Sequence, residues 1–172
     1  MPSPARSTRR PAVIVIPARL QSTRLPRKML LAETGMPLIE HTWRAAGRSR
    51  LAGRVVVATD SPEIAAAVTA FGGEAIMTSE SAPSGTARIV EALARLGDAE
   101  VIVNVQGDEP EISAAAIDSA IDLLDRCPGA GIATLVTPIG STDLLDDPSA
   151  VKAVLTPWRE PGATGSWLPG EE

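Results

Sequence analysis

The chain has 172 residues, a formal net charge of −5, 44% hydrophobic and 22% charged residues, which is ordinary for one globular domain with a real core. No apolar run reaches the ~20 residues that cross a bilayer, no apolar stretch precedes the first strand as a secretory signal requires, and a single cysteine, Cys127, excludes an internal disulfide. The expectation is a soluble cytoplasmic protein, with Cys127 a structural residue at a helix end. Residues 1–28 hold seven Lys and Arg and no acid, while the remaining nine basic residues face all 21 acids, a net of −12. A local positive field on an acidic body suits a small anionic ligand better than nucleic acid.

Residues 1–11 are rich in Pro, Ser and Arg and read as a disordered basic tail. Ala12-Val13-Ile14-Val15-Ile16 is β-branched without alternation, the pattern of a central strand buried on both faces, and Pro17 stops it. The loop after it carries Arg19, Arg24, Arg27 and Lys28 with Ser22 and Thr23, four cations in ten residues. That is where open α/β sheets bind ligands, and guanidinium forks with a lysine point charge match a polyphosphate. Neither G-x-x-x-x-G-K-[ST] nor G-x-G-x-x-G is present, so side-chain cations would do the work of glycine amides. A solvated basic loop is the plainer alternative from charge alone.

Residues 37–49 read as an amphipathic helix through Leu38, Ile39, Thr42, Trp43 and Ala46. It contains His41, the sole histidine, best read as a surface or packing residue. Arg54–Ala58 is a second buried strand, after which Asp60 or Ser61 caps a helix with Pro62 first and Ile64, Ala67, Val68 and Phe71 on its apolar face. Glu74–Met77 is a short strand, 79–85 a polar loop, and 86–96 a helix with Ile89, Leu93 and Leu96 inward. Ser84-Gly85-Thr86-Ala87-Arg88 opens that helix: Ser84 or Thr86 can cap it, and Arg88 could reach a ligand. Glu100–Val105 is a fourth strand, and Ser113 caps a helix to about Asp125. Residues 131–138 read as a fifth strand and 150–155 as a sixth. Strands alternating with helices predict an α/β fold with a mostly parallel sheet and helices on both faces over 12–155. Residues 156–172, with three prolines, three glycines and no periodicity, read as an irregular tail.

The chemistry concentrates after two strands. Asp108 follows Gln106-Gly107 at the end of the fourth strand, where a carboxylate can hold Mg²⁺ with phosphate oxygens, with Glu109 beside it. Helix-capping acids ahead of Pro110 are the plainer alternative. A cationic loop and an acid at neighbouring strand ends are what metal-assisted nucleotidyl transfer needs.

The segments IPARLQSTRLPRK (16–28), VVVATDSPEIAAAV (55–68), MTSESAPSGTARI (77–89), VIVNVQGDEPEI (101–112) and GIATLVTPI (131–139) together resemble the 3-deoxy-manno-octulosonate (Kdo) cytidylyltransferases, or CMP-Kdo synthetases. The resemblance implies a three-layer Rossmann-like sheet of the nucleotide-diphospho-sugar transferase type and the reaction CTP plus Kdo giving CMP-Kdo and pyrophosphate, with Mg²⁺, for lipopolysaccharide synthesis. The Kdo 2-hydroxyl would attack the α-phosphorus directly. Arg19, Ser22, Thr23, Arg24 and Lys28 would hold the triphosphate. Ser84, Gly85, Thr86 and Arg88 would help bind the nucleotide, Gln106 would line the site, and Asp108 would bind metal; Arg19, Lys28 and Asp108 would carry catalysis. Arg27 stands where these proteins have glycine in LPGK, Ala82-Pro83 where Asp-His is usual, and Ala87 where an acid is usual. The family's members are longer, with most of the sugar pocket, a homodimer surface and a second metal-binding aspartate in the additional part. The resemblance therefore also implies an incomplete domain, with a remnant that only binds CTP or a partner as the alternative to an active enzyme.

Overall fold

The computed structural model describes residues 9–21 and 25–155. Its elements are β1 (Ala12–Ala18), α1 (Leu38–Ala46), β2 (Ala52–Thr59), α2 (Pro62–Ala70), β3 (Glu74–Met77), α3 (Gly85–Ala92), β4 (Val101–Asn104), α4 (Ala114–Arg126) and the single turn α5 (Asp143–Asp146). The sheet has the order β3-β2-β1-β4, and every pairing is parallel. Ile14 sits opposite Val55 on one side and Val103 on the other.

The apolar runs lack alternation because both faces of the sheet are covered. Ile14 and Ile16 of β1 point into a cluster with Ile39 of α1, Ile64 and Val68 of α2, and Ile117 and Ile121 of α4. Val13 and Val15 point the other way, toward Ile89 and Ala92 of α3 and Leu96 just beyond it. This makes three layers, with β1 at the centre and all seven of its residues buried. Burying one Ile or Val of this kind contributes about 1.5–3 kcal/mol. Trp43 and Phe71 close the space between α1 and α2, their ring centroids 5.2 Å apart.

The helix starts follow local chemistry. Ser61, Ser84 and Ser113 accept from the amides of Ile64, Ala87 and Ala116 at the openings of α2, α3 and α4. So Ser61 rather than Asp60 caps α2, and Ser84 rather than Thr86 caps α3. Pro62 takes the first position of α2, where its missing N–H costs nothing. A turn of 3-10 helix over Leu93–Arg95 ends α3 early, and its tighter winding turns Leu93 outward to 43% exposure, against the inward position expected for it.

Two expected strands are not formed. Residues 131–138 have no regular structure and make no ladder, and 150–155 are irregular. Their apolar composition reads as a buried strand, yet burial depends on neighbours: Ile132 is 86% exposed and Val151 fully so. Residues 132–135 stand off from β4 and, with Val101–Val105 and α4, line an apolar cleft of about 500 Å³. Of the segment expected to be disordered, residues 1–8 lie outside the described residues, and Arg9–Pro11 are held. Arg10 donates to Asp125 on α4 at 3.1 Å, and the Pro11 carbonyl accepts from the amide of Val101. Residues 156–172 also lie outside the described residues. Among the described residues no helix is long and apolar enough to cross a membrane.

Candidate active site

In the order β3-β2-β1-β4 the chain turns back between β1 and β4. Loops leaving the carboxyl ends of those two strands diverge and open a crevice at that point. The crevice is a cleft of about 660 Å³ lined by Pro17, Arg19, Gln21, Leu25, Lys28, Met29, Gly85, Gln106, Gly107 and Asp108. Three stretches singled out from sequence therefore meet in one place: the basic loop after β1, the Gln106–Asp108 turn after β4, and the start of α3.

The decisive contact is between Lys28 and Asp108. Their side chains, 80 residues apart in sequence, meet with Nζ 2.8 Å from Oδ2, and both remain a third to a half exposed to the cleft. Lys28 opens a 3-10 turn, Lys28–Leu30, whose preceding residue Arg27 has φ 58° and ψ 24°. That left-handed conformation suits glycine and strains a residue with a Cβ. The turn is nevertheless made. The Arg27 amide donates to the Leu20 carbonyl at 3.2 Å, and its guanidinium pairs with Glu63 in the first turn of α2.

Asp108 is aimed by close packing behind it. A Cβ on Gly107 would lie 3.0 Å from the Met29 sulfur and 3.2 Å from the Pro17 carbonyl oxygen, so only glycine fits without a shift. The Gly107 carbonyl accepts a hydrogen bond from the buried Thr42 hydroxyl at 2.8 Å. Gly85 likewise brings α3 against Pro17, where a Cβ would meet the proline ring at 3.2 Å. The start of α3, with its free amides, thus forms one wall of the cleft. Gln106 lines the opposite wall, its amide donating to Asn104 at 3.0 Å.

Arg19 lies at the cleft and donates to the Ala82 carbonyl at 2.8 Å, tying the loop before α3 to the end of β1. Thr86 is exposed on the first turn of α3. Arg88 is not on the cleft surface. It is wholly buried and donates to Asp60 at 2.6 Å, to the Ser79 carbonyl at 3.3 Å and to the Thr78 hydroxyl. The expectation that Arg88 could reach a ligand is not met in this arrangement. Ser22, Thr23 and Arg24 lie outside the described residues. His41 bonds the Thr34 hydroxyl at 2.6 Å, away from the cleft, and Cys127 caps the end of α4. Sequence reading missed Thr42, Asp60 and Glu63, all of which act on the cleft from behind. Thr42 could have been suspected from its polar side chain on an apolar helix stripe.

Among the described residues no three His, Cys, Asp or Glu side chains cluster as a metal cage. A hard cation such as Mg²⁺ does not need one. It binds through one or two carboxylates, with waters and phosphate oxygens completing its shell, and the half-exposed Asp108 carboxylate in the cleft could serve as such a donor.

Comparison with known proteins places the chain in a family. The sequence profile of the cytidylyltransferase family matches residues 13–161. The 3-deoxy-manno-octulosonate cytidylyltransferase of Chlorobium luteolum is 53% identical over 150 residues, covering 84% of this chain and 59% of that protein. Its counterpart in Rhodopirellula baltica is 47% identical over 143 residues, covering 83% of this chain and 57% of that protein. The chain thus spans under two thirds of the length of these relatives. The solved structure of CMP:2-keto-3-deoxy-manno-octonic acid synthetase complexed with CTP matches at TM-score 0.66 and 43% identity, over 69% of this chain and 48% of that one. A manganese complex of Rv0371c from Mycobacterium tuberculosis, at 21% identity and TM-score 0.51 over 67% of this chain and 60% of that one, shares the fold. The chain belongs to the cytidylyltransferase family, and within it resembles the 3-deoxy-manno-octulosonate cytidylyltransferases.

Proposed function

We propose that this chain forms the CTP-binding part of a 3-deoxy-manno-octulosonate cytidylyltransferase, which converts CTP and Kdo to CMP-Kdo and pyrophosphate for lipopolysaccharide synthesis in the cytoplasm. The observation that carries the reading is the meeting of Lys28 and Asp108 at the switch point of the sheet. Arg19 and Lys28 would hold the triphosphate, with Ser22, Thr23 and Arg24 of the same stretch of sequence. Ser84, Gly85 and Thr86 present the start of α3, Gln106 the facing wall, and Asp108 would hold Mg²⁺. The metal, when bound, neutralises charge on the phosphates and polarises the α-phosphorus. The Kdo 2-hydroxyl oxygen bonds to that phosphorus, the bond to the bridging oxygen of the β-phosphate breaks, pyrophosphate leaves, and the hydroxyl proton passes to solvent. Lys28 and Arg19 stabilise the leaving pyrophosphate. This division fits the chemistry of phosphoryl transfer, where positioning and electrostatics do most of the catalysis.

A second reading, nucleotide binding without transfer, is favoured by one observation. Val151, Val154, Leu155 and Ile132 are 71–100% exposed, and β4 has no strand on its outer side among the described residues. Pyrophosphate release from the purified chain with CTP, Kdo and Mg²⁺ separates the two. Release that requires both substrates supports transfer, on one chain or across a homodimer. CTP binding without release supports the second reading, and no CTP binding by a folded chain refutes both.

A further inference from the structure

The loop joining β3 to α3 has no ladder or helix of its own, yet it carries the wall of the cleft. Ser79, Glu80, Ser81, Pro83 and Ser84 are all exposed, and the loop's internal bonds are local ones to Ser79, from the Ala82 amide to its carbonyl at 3.4 Å and from the Ser81 amide to its hydroxyl at 3.0 Å. Its first residues are bonded to the framework, the Thr78 amide to the Thr59 carbonyl at 2.8 Å and the Ser79 amide to Glu91 at 2.6 Å, and two guanidiniums hold it further. From the cleft side, Arg19 donates to the Ala82 carbonyl at 2.8 Å. From inside, wholly buried Arg88 donates to the Ser79 carbonyl at 3.3 Å and to the Thr78 hydroxyl, while its other terminal nitrogen meets Asp60 at 2.6 Å. Asp60 directly follows β2 and is little exposed (16%), so the ion pair anchors the loop to the rigid sheet.

We infer that Asp60 and Arg88 are positioning residues for the nucleotide: acting through the 78–84 loop, they set the start of α3 and the Arg19 guanidinium where CTP meets them. This rests on the CTP-binding reading of the cleft. Two features separate it from plain structural support. The backbone of Ala82, within the loop, bonds directly to a cation of the cleft, and the pair grips the loop at Thr78 and Ser79, apart from the packing of the buried Ala82 side chain. A buried guanidinium needs its carboxylate, so loss of the Asp60 charge should release Arg88 from its geometry and the loop with it.

The test compares wild type, Asp60→Asn and Thr78→Val, each the full 172-residue chain. CTP affinity is measured by calorimetry and local opening by amide hydrogen exchange. Asp60→Asn should weaken CTP binding about tenfold, in keeping with the cost of small misplacements in a site. Exchange should accelerate about tenfold over residues 78–84 and stay unchanged in β1 and β4. Thr78→Val keeps the ion pair and should show the same local pattern at about threefold. If Asp60→Asn does not fold, Thr78→Val decides alone. CTP affinity within twofold of wild type, or acceleration spread evenly over the sheet, would overturn the inference. Failure of the folded wild type to bind CTP would overturn the functional reading first and this inference with it, so the two failures are distinguishable.

Discussion

Removing the Asp108 charge should change CTP binding in opposite directions with and without metal. In the described arrangement Lys28 Nζ lies 2.8 Å from Asp108 Oδ2, and their side chains are 33% and 47% exposed. An exposed pair of this kind contributes at most about 1 kcal/mol to folding, so Asp108→Asn should leave the unfolding midpoint nearly unchanged. Its effect on a triphosphate is larger. Unit charges ~5 Å apart at an effective dielectric near 20 interact by about 3 kcal/mol, and exposure to water reduces this to about 1 kcal/mol for Asp108 against one phosphate. Without metal, Asp108→Asn removes that repulsion and frees Lys28, so CTP should bind about fivefold more tightly. With Mg²⁺ the sign reverses. The amide is a poor ligand for a hard cation, the metal-dependent gain disappears, and CTP should bind about ten- to a hundredfold more weakly than to wild type. Calorimetry of CTP binding in EDTA and in Mg²⁺ reads both arms. Equal weakening in both conditions would refute the metal role and leave Asp108 as a partner that merely positions Lys28.

Three other outcomes follow from local geometry. Arg27→Gly removes a left-handed strain of about 1–2 kcal/mol and loses only an exposed ion pair with Glu63, so chemical denaturation should show a net gain of about 0.5–1 kcal/mol; a lower midpoint would mean that the pair outweighs the strain. Gly107→Ala forces a Cβ to within 3.0 Å of the Met29 sulfur and 3.2 Å of the Pro17 carbonyl, and should cost about 1–3 kcal/mol while weakening metal-dependent CTP binding; an unchanged denaturation curve would show that the turn has slack. Burial pushes the Asp118 carboxyl up, but hydrogen bonds from the Ser49 hydroxyl and the amides of Arg50 and Leu51, helped by the Arg50 charge, outweigh it and hold the carboxyl below its ordinary value. A carboxyl lowered on folding stabilises above its unfolded pKa of about 3.9, and that stability is lost as pH falls through the folded value. Asp118→Asn should therefore flatten the acid limb of a stability-against-pH curve, and an unaltered limb would assign acid sensitivity to other carboxyls such as Glu74, lowered by its bond from Arg54.

The sheet was legible because its residues state their environment. The unbroken β-branched runs of β1, β2 and β4 can be satisfied only by a layer on each face, and the helices between them supply those layers. The same rule misread 131–138 and 150–155. An apolar run says that a segment seeks burial, and it does not say that a neighbour is there to bury it. Ile132 at 86% exposure has the sequence of a strand and the surroundings of a loop. Leu93 failed differently, because a switch from α to 3-10 winding changes which face a residue occupies, and no residue type in 93–95 announces that switch.

The site divides along the same line. Groups whose chemistry is local were readable: a run of cations after a buried strand, an acidic pair after another, and a serine before a helix. The pairings were not, since a partner 80 residues away is set by strand order, and a sequence of alternating elements does not fix whether β4 lies beside β1 or beyond β3. Once β4 takes its place next to β1, the meeting of Lys28 with Asp108 follows without further assumption, because both loops leave the same end of adjacent parallel strands. Arg88 shows the converse. A cation one turn into a helix beside a cleft has two uses, touching the ligand or holding the wall that touches it. The choice depends on whether an acid waits beneath. Asp60 does, at the end of a strand two positions across the sheet from β4, and that placement draws the guanidinium inward and away from the cleft.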